Sequence, residues 1–259
     1  IVTGANGFIG SSLIKILINK GVKVLAVDMS FALPRLPESG FITKIESGVD
    51  ATLADKIPVG EYDAFYHLAW RGVNGAEKAD PTVQLVNIQM AVDCANVCKQ
   101  MGVKKLLCAG TVAENATYSL PDLEKTSGGM MYGVAKHACR LIVEDYCKNI
   151  GLPFVWMQFS NIYGIGNKTG NLVSYTLSEL MAGKEATFGP ALQPYDFIYV
   201  DNLIEAVYRL GVNDTKKSFY YIGSGNPRIL KDYLLRIGEL AGFADKVGIG
   251  IRPDDGIKY

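Results

Sequence analysis

Tyr132 and Lys136 stand four positions apart. On a helix that spacing puts a phenol and an ammonium on one face. A phenol with a pKa of about 10 is a poor base at neutral pH, but a nearby ammonium favours the phenolate and lowers that value. Such a pair can take a proton from a carbinol oxygen, or return one, while hydride moves at the same carbon. A chain with 14 tyrosines produces about one such pair by chance, so its place in the chain carries the weight. The pair falls on a helical pattern directly after an apolar run at 105–109. Thr111 lies two residues past that run, where its hydroxyl could orient a substrate oxygen.

Gly4, Gly7 and Gly10 form a second constellation, G-x-x-G-x-x-G. Ile1, Val2 and Thr3 read as the end of a buried strand. A helical pattern follows the glycines, with Leu13, Ile14, Leu17 and Ile18 on one face, and Gly21 stops it. In that context glycines let the backbone approach a pyrophosphate, and the helix N-terminus supplies free N–H groups. An apolar strand at 22–27 then ends at Asp28, where a carboxylate can accept hydrogen bonds from both adenosine-ribose hydroxyls and repels a 2′-phosphate. This favours NAD over NADP. Asp28 acting only as a turn cap is the alternative, and Arg35 is close enough in sequence to keep NADP open.

The elements that hold these residues alternate. Strands are expected at 64–68, 105–109 and 154–159, and helices at 81–101 and 132–146, with Pro81 in a first turn and Gly102 past an end. Strands separated by helices of this length imply an α/β fold with a doubly wound parallel sheet of Rossmann type. After Phe159 the pattern loosens. Residues 161–171 read as a loop, helices follow at 172–182, 201–210 and 229–241, and short strands at 197–200 and 218–222. The expected organisation is a dinucleotide-binding core at 1–160, with 194–222 returning to it. A small C-terminal substrate-binding lobe is expected from 161–193 and 223–259.

Composition limits the function classes. The chain has 259 residues, 49% of them hydrophobic, and a formal net charge of zero. A core of this size needs no disulfide or metal staple. A balanced charge argues against nucleic acid or an anionic membrane as partner. The five cysteines show no C-x-x-C pair and read as buried reduced thiols, and two histidines are too few for a histidine-rich metal site. No metal is expected. There is no run of about 18 apolar residues and no signal peptide, so a cytoplasmic protein is expected. Both chain ends look trimmed.

Together these residues resemble the extended short-chain dehydrogenase/reductase family, in its nucleotide-sugar epimerase/dehydratase branch. Thr3-Gly4-Ala5-Asn6-Gly7-Phe8-Ile9-Gly10 looks like the family's cofactor loop, His67-Leu68-Ala69 its fourth-strand signature and Asn87 its helix asparagine. Tyr132 and Lys136 match the catalytic pair and Thr111 the catalytic Ser/Thr. Ser160-Asn161-Ile162-Tyr163-Gly164 resembles the start of the sugar-nucleotide site, and Asp196-Phe197-Ile198-Tyr199-Val200-Asp201 a late strand-to-helix motif. The resemblance implies NAD bound by Gly4, Asn6, Gly7, Phe8, Ile9, Gly10, Asp28, Leu68, Ala69, Asn87, Tyr132 and Lys136. Asn161, Asn171 and Trp70 become candidate substrate contacts, although Asn171 also suits a helix N-cap and Trp70 suits packing. A homodimer through the helices at 81–101 and 132–146 is also implied.

Three departures matter. The family's dehydratases carry Asp-Glu after the catalytic threonine, and here Val112-Ala113 follow Thr111, with Glu114 one step later. This discounts 4,6-dehydration. Tyr195 and Gln158 stand where many members carry arginines that serve sugar-nucleotide binding or local structure. The leading expectation is therefore an NAD-dependent epimerase of a nucleoside-diphosphate sugar. A nucleotide-linked 4-keto-sugar reductase uses the same residues, and a non-catalytic NAD(P)-binding sensor or scaffold is the reading of another class.

Overall fold

The structure is a computed structural model that describes residues 1–167 and 170–254. Strand β1 (Val2–Thr3) leads through the glycine turn into helix α1 (Phe8–Asn19), and the chain returns as β2 (Val24–Asp28). Next come β3 (Ile42–Glu46), α2 (Leu53–Lys56) and β4 (Phe65–His67). Helix α3 (Pro81–Met101) starts on its proline, with Asp80 accepting N–H bonds from Thr82 and Val83. It stops at Gly102, whose φ of 65° is the left-handed conformation that ends a helix. Strand β5 (Leu106–Thr111) runs into a 3-10 segment, Val112–Asp122, before α4 (Gly128–Ile150) and β6 (Phe154–Phe159). The remainder comprises β7 (Asn161–Tyr163), α5 (Leu172–Met181), β8 (Ala186–Thr187), β9 (Pro194–Tyr195), β10 (Phe197–Tyr199), α6 (Val200–Val212), β11 (Phe219–Ile222), β12 (Arg228–Ile229), α7 (Leu230–Ala241) and β13 (Val247–Gly248).

Seven strands form one parallel sheet in the order β11-β6-β5-β4-β1-β2-β3. Chain direction across the sheet reverses between β1 and β4, which makes their carboxyl ends the crevice where such folds take ligands. Thr3 pairs with His67 and Val27 in register, so the glycine turn, Asp28 and the segment after His67 leave the sheet side by side. Both faces of the sheet are covered, which is why the central strands read as continuous apolar runs. Leu53, Phe65, Cys94, Leu106, Val143 and Trp156 pack on the α3/α4 side. Leu13, Ile14, Val155, Met157, Leu203 and Val207 pack on the α1/α6 side. All five cysteines are free thiols buried in this molecule.

A third cluster holds Leu180, Ala186, Phe188, Ala191, Leu230 and Leu234 together, beyond the sheet. Strand β11 follows α6, which packs with α1 on the sheet, and takes the sheet edge beside β6. Six strands escape the sequence reading: β3, β7 and the two-residue β8, β9, β12 and β13. β3 lies at the sheet edge with Thr43 and Lys44 exposed, so no apolar run marks it. β7 lies within the expected loop at 161–171 and pairs in parallel with β10. Three residues are too few to show alternation. Of that expected loop, 168 and 169 lie outside the described residues, as do 255–259 of the expected lobe. No helix among the described residues is long and apolar enough to cross a membrane.

Candidate active site

The glycine turn is shaped by contact, not by preference alone. Gly4 has φ 65°, and a Cβ there would stand 2.8 Å from the Ala69 backbone nitrogen. A Cβ on Gly10 would fall on the Gly4 carbonyl oxygen. Gly7 caps α1 without any side-chain hydrogen bond, so the first turn, which opens at Phe8 and Ile9, has no side-chain cap for its N–H groups. Leu68 N donates to the Thr3 carbonyl (3.3 Å) and Ala69 N to Thr3 Oγ1 (3.4 Å), which clamps the segment after β4 against the turn. Thr3 Oγ1 also meets His67 Nδ1 at 2.9 Å. Burial, with the Lys136 ammonium adding to it, pushes the His67 pKa down to about 3, so this imidazole is neutral.

Asp28 has both expected roles within reach. Its Oδ2 accepts from Asn6 N and its Oδ1 from Met29 N, each at 2.8 Å, so the carboxylate ties the end of β2 to the glycine turn. Each carboxylate oxygen keeps a further lone pair for a ribose hydroxyl. The Asn6 amide meanwhile donates to the Ser30 carbonyl at 3.0 Å. A turn shaped by glycines, a helix N-terminus without a side-chain cap and a carboxylate at the second strand end fit a dinucleotide without a 2′-phosphate.

Asn87 is placed differently from a ligand contact. It is fully buried, its Oδ1 accepts from Arg71 N (2.8 Å) and its amide donates to the Arg71 carbonyl (2.7 Å). It therefore shapes the loop that follows Ala69. Gln84, one helical turn earlier on the same face of α3, does the same work and was not anticipated. Its amide donates to the carbonyls of Gly72 (3.1 Å) and Glu77 (3.2 Å), while its oxygen accepts from the Trp70 indole N–H (2.9 Å). The available signal was a pair of amide side chains spaced i, i+3 on a helix next to the cofactor crevice.

Tyr132 and Thr111 do meet: the Thr111 side chain is close enough to favour the ionised form of the phenol. Thr111 ends β5 and caps the following 3-10 segment, accepting from Ala113 N (3.3 Å), while Glu114 Oε1 accepts from Thr111 N (2.7 Å). Gly133 is what lets α4 approach, because a Cβ there would fall on the Ala113 carbonyl oxygen. Sequence reasoning missed it, since a glycine inside a helix gives no hint of what it faces. Glu114 is 1% exposed and its carboxylate accepts from Trp156 Nε1 at 3.1 and 3.2 Å. Burial raises its pKa against those bonds. It supports Thr111 from beneath.

Lys136 is oriented otherwise than expected. Its Nζ donates to the Ala109 carbonyl (2.6 Å) and lies 3.6 Å from the centroid of the Trp70 ring. Burial lowers its pKa to about 8. The expected lowering of the phenol's pKa by Lys136 is not found. Burial pushes Tyr132 above its ordinary value, against the opposing effect of the Thr111 side chain. The cation over the Tyr132 ring is Lys78, 5.3 Å from its centroid.

Asn171 is the N-cap of α5, accepting from Ser174 N (2.8 Å), and its amide donates to the Ile162 carbonyl (3.1 Å). Asn161 donates to the Asp196 carbonyl (3.2 Å). Both hold the backbone where β7 and β10 meet. Arg252, unremarked in the sequence, stacks on Tyr175 and donates to Thr187 Oγ1 (2.9 Å).

A sequence profile described as the NAD dependent epimerase/dehydratase family matches residues 1–223. The chain belongs to this family. Among its members, dTDP-6-deoxy-L-talose 4-dehydrogenase (NAD(+)) of Aggregatibacter actinomycetemcomitans is 30% identical over 63% of this chain; the match spans 61% of that relative's length. UDP-glucose 4-epimerase of Mycolicibacterium smegmatis is 26% identical, over 87% of this chain and 77% of its own. The crystal structure of Thermus thermophilus UDP-glucose 4-epimerase complexed with NAD has the same fold. Its TM-score is 0.77 at 21% identity, covering 98% of this chain and 86% of that one.

Proposed function

We propose that this family member is an NAD-dependent epimerase of a nucleoside-diphosphate sugar, acting by transient oxidation of a sugar carbinol. The observation that carries this reading is the meeting of Tyr132 with Thr111 at the carboxyl end of β5, on the same sheet edge as the glycine turn, where the Thr111 side chain favours the ionised phenol. NAD held by the glycine turn and Asp28 would supply the reversible hydride acceptor for the carbinol carbon. Tyr132 takes the carbinol proton and gives it back, with Thr111 holding the oxygen. Burial favours the protonated phenol in the unliganded chain; that form donates to a keto oxygen, and taking the carbinol proton requires that the phenol first ionise. Lys136 has N–H groups left for the nicotinamide ribose. The epimerase names among its relatives, and NAD in a fold neighbour, support this assignment. Val112 and Ala113 have no acid–base groups and Glu114 is buried under Thr111, which weighs against water elimination.

A single-pass 4-keto-sugar reductase is the second reading, favoured by the 30% identical talose 4-dehydrogenase. In either case we assign cofactor binding to 1–160 with 194–222, and the sugar nucleotide to 161–193 with 223–259. Leu85 and Val86 of α3 and Leu141 and Ile142 of α4 are exposed, which supports a homodimer through these helices. The deciding experiment incubates the enzyme and NAD with a panel of nucleotide sugars, following product stereochemistry and cofactor absorbance. An inverted sugar without net NADH marks the epimerase, and stoichiometric NADH the dehydrogenase direction of a reductase. Tyr132→Phe should slow either by roughly 10²–10⁴-fold with unchanged thermal unfolding. A folded Tyr132→Phe variant with near-normal turnover would refute the assigned acid–base.

A further inference from the structure

We propose that Trp70 is a positioning residue for Lys136, fixing its ammonium for the cofactor, and not a wall of the sugar pocket. The inference rests on the reading of Lys136 as a cofactor-binding group. A lysine side chain is flexible and its ammonium is a compact point charge, so without a partner it samples many rotamers. Here the Ala109 carbonyl and the Trp70 ring are its near partners, with the Trp156 ring farther off at 5.9 Å. The Ala109 carbonyl takes one N–H at 2.6 Å, and the Trp70 ring lies against the ammonium with its centroid 3.6 Å away. The negative face of an indole attracts a cation, more strongly where water is excluded, and Lys136 is 4% exposed.

The indole is itself oriented. Its N–H donates to Gln84 Oε1 at 2.9 Å, and Gln84 is 1% exposed. The Gln84 amide holds the carbonyls of Gly72 and Glu77, and Asn87 holds both backbone groups of Arg71. Two buried amides from α3 thus set the loop that aims one ring. That ring also meets Tyr132 edge-on, with centroids 6.2 Å apart and an interplanar angle of 84°. One side chain therefore touches both members of the tyrosine–lysine pair. A tryptophan that only lined a sugar pocket would need neither the buried amide acceptor nor the ammonium on its face.

The test is a double-mutant cycle read on NAD binding. Wild type, Trp70→Leu, Lys136→Met and the double variant are titrated with NAD by calorimetry, after circular dichroism and thermal unfolding confirm that each is folded. Trp70→Leu should weaken NAD binding by about tenfold. In the Lys136→Met background the same change should have almost no effect, because the group it positions is gone. Trp70→Phe keeps a ring face and should recover most of the affinity. Tryptophan emission gives a second readout. Trp70 and Trp156 are the only tryptophans, and Trp70 is the nearer to the Lys136 ammonium, 3.6 Å against 5.9 Å, so most of a saturable change on adding NAD should be lost in Trp70→Phe. Should Trp70→Leu fail to fold, Trp70→Met replaces it in the cycle. Additive losses in the cycle would overturn the proposal, as would an unchanged NAD affinity with a raised KM for the sugar. The NAD titrations and the emission change do not depend on turnover, so they stand apart from the Tyr132→Phe test of the chemistry.

Discussion

A buried ammonium has a thermodynamic signature that the enzyme's activity does not share. Lys136 releases its proton near pH 8 in the folded chain and near 10.5 when unfolded. Between those values the unfolded chain binds more protons, so folding stability rises with pH from about 8 to 10.5 and the cost is fully present below 8. Lys136→Met lacks the charge and fits an aromatic neighbour. Urea unfolding should therefore show the variant stabilised relative to wild type at pH 7, by up to roughly 3 kcal/mol, and the gap should shrink by pH 10. A gap that does not depend on pH would show that Lys136 titrates normally. Asp28 makes a different residue-scale prediction. Its two carboxylate oxygens already hold Asn6 N and Met29 N, so it cannot swing away from a 2′-phosphate without breaking the turn. NAD should bind at least about tenfold more tightly than NADP, about 1.4 kcal/mol. Calorimetry with both cofactors checks this, and equal affinities would point to a cation such as Arg35.

Single elements show what could be read in advance and what could not. The span of α3 was readable to the residue because Pro81 and Gly102 are punctuation with a backbone cause. The glycine turn and Asp28 were readable for the same reason, since their spacing follows from one strand–turn–helix unit. The orientation of Lys136 was not, because it depends on Trp70, some sixty residues away in sequence and delivered by Gln84 of another helix. Nor was Gly133. In an exposed helix interior, Gly→Ala is worth about 1 kcal/mol of added stability. Here the added methyl meets the Ala113 carbonyl oxygen, backbone of the 3-10 segment that Thr111 caps. Gly133→Ala should invert the usual sign, lowering the melting temperature, and should reduce kcat by separating Tyr132 from Thr111. A stabilised variant with normal kcat would mean that α4 can shift without disturbing the pair.

At the scale of the whole molecule, the active site needs two bodies of side chains to stay in register: the sheet with its cofactor crevice, and the region gathered around Leu180, Phe188 and Leu234. Asp196 sits where they join. It is 7% exposed, it precedes β10, and its carboxylate gathers donors from β11 and the chain just after it. Oδ2 accepts from the Tyr221 hydroxyl (2.7 Å) and Gly225 N (3.4 Å), while Oδ1 accepts from Ser224 N (3.1 Å) and from the Ser224 hydroxyl. Asn161 N in turn donates to the Asp196 carbonyl at 3.1 Å, bringing in the start of β7. Asp196→Asn keeps the shape but replaces one acceptor with an NH₂ donor. A hydroxyl can turn to accept from it; a backbone N–H cannot. Whichever way the amide lies, one backbone donor, Ser224 N or Gly225 N, loses its acceptor, at a cost of about 1–3 kcal/mol. The glycine turn and Asp28 belong to the other half of the sheet, around β1 and β2, and share none of these bonds. Asp196→Asn should therefore lower the melting temperature and raise the KM for the nucleotide sugar while leaving NAD affinity within about twofold of wild type. Calorimetry for NAD and steady-state kinetics for the sugar separate the two. Equal losses in both would show that the join transmits strain across the whole sheet, and that the two ligand sites are not energetically separate.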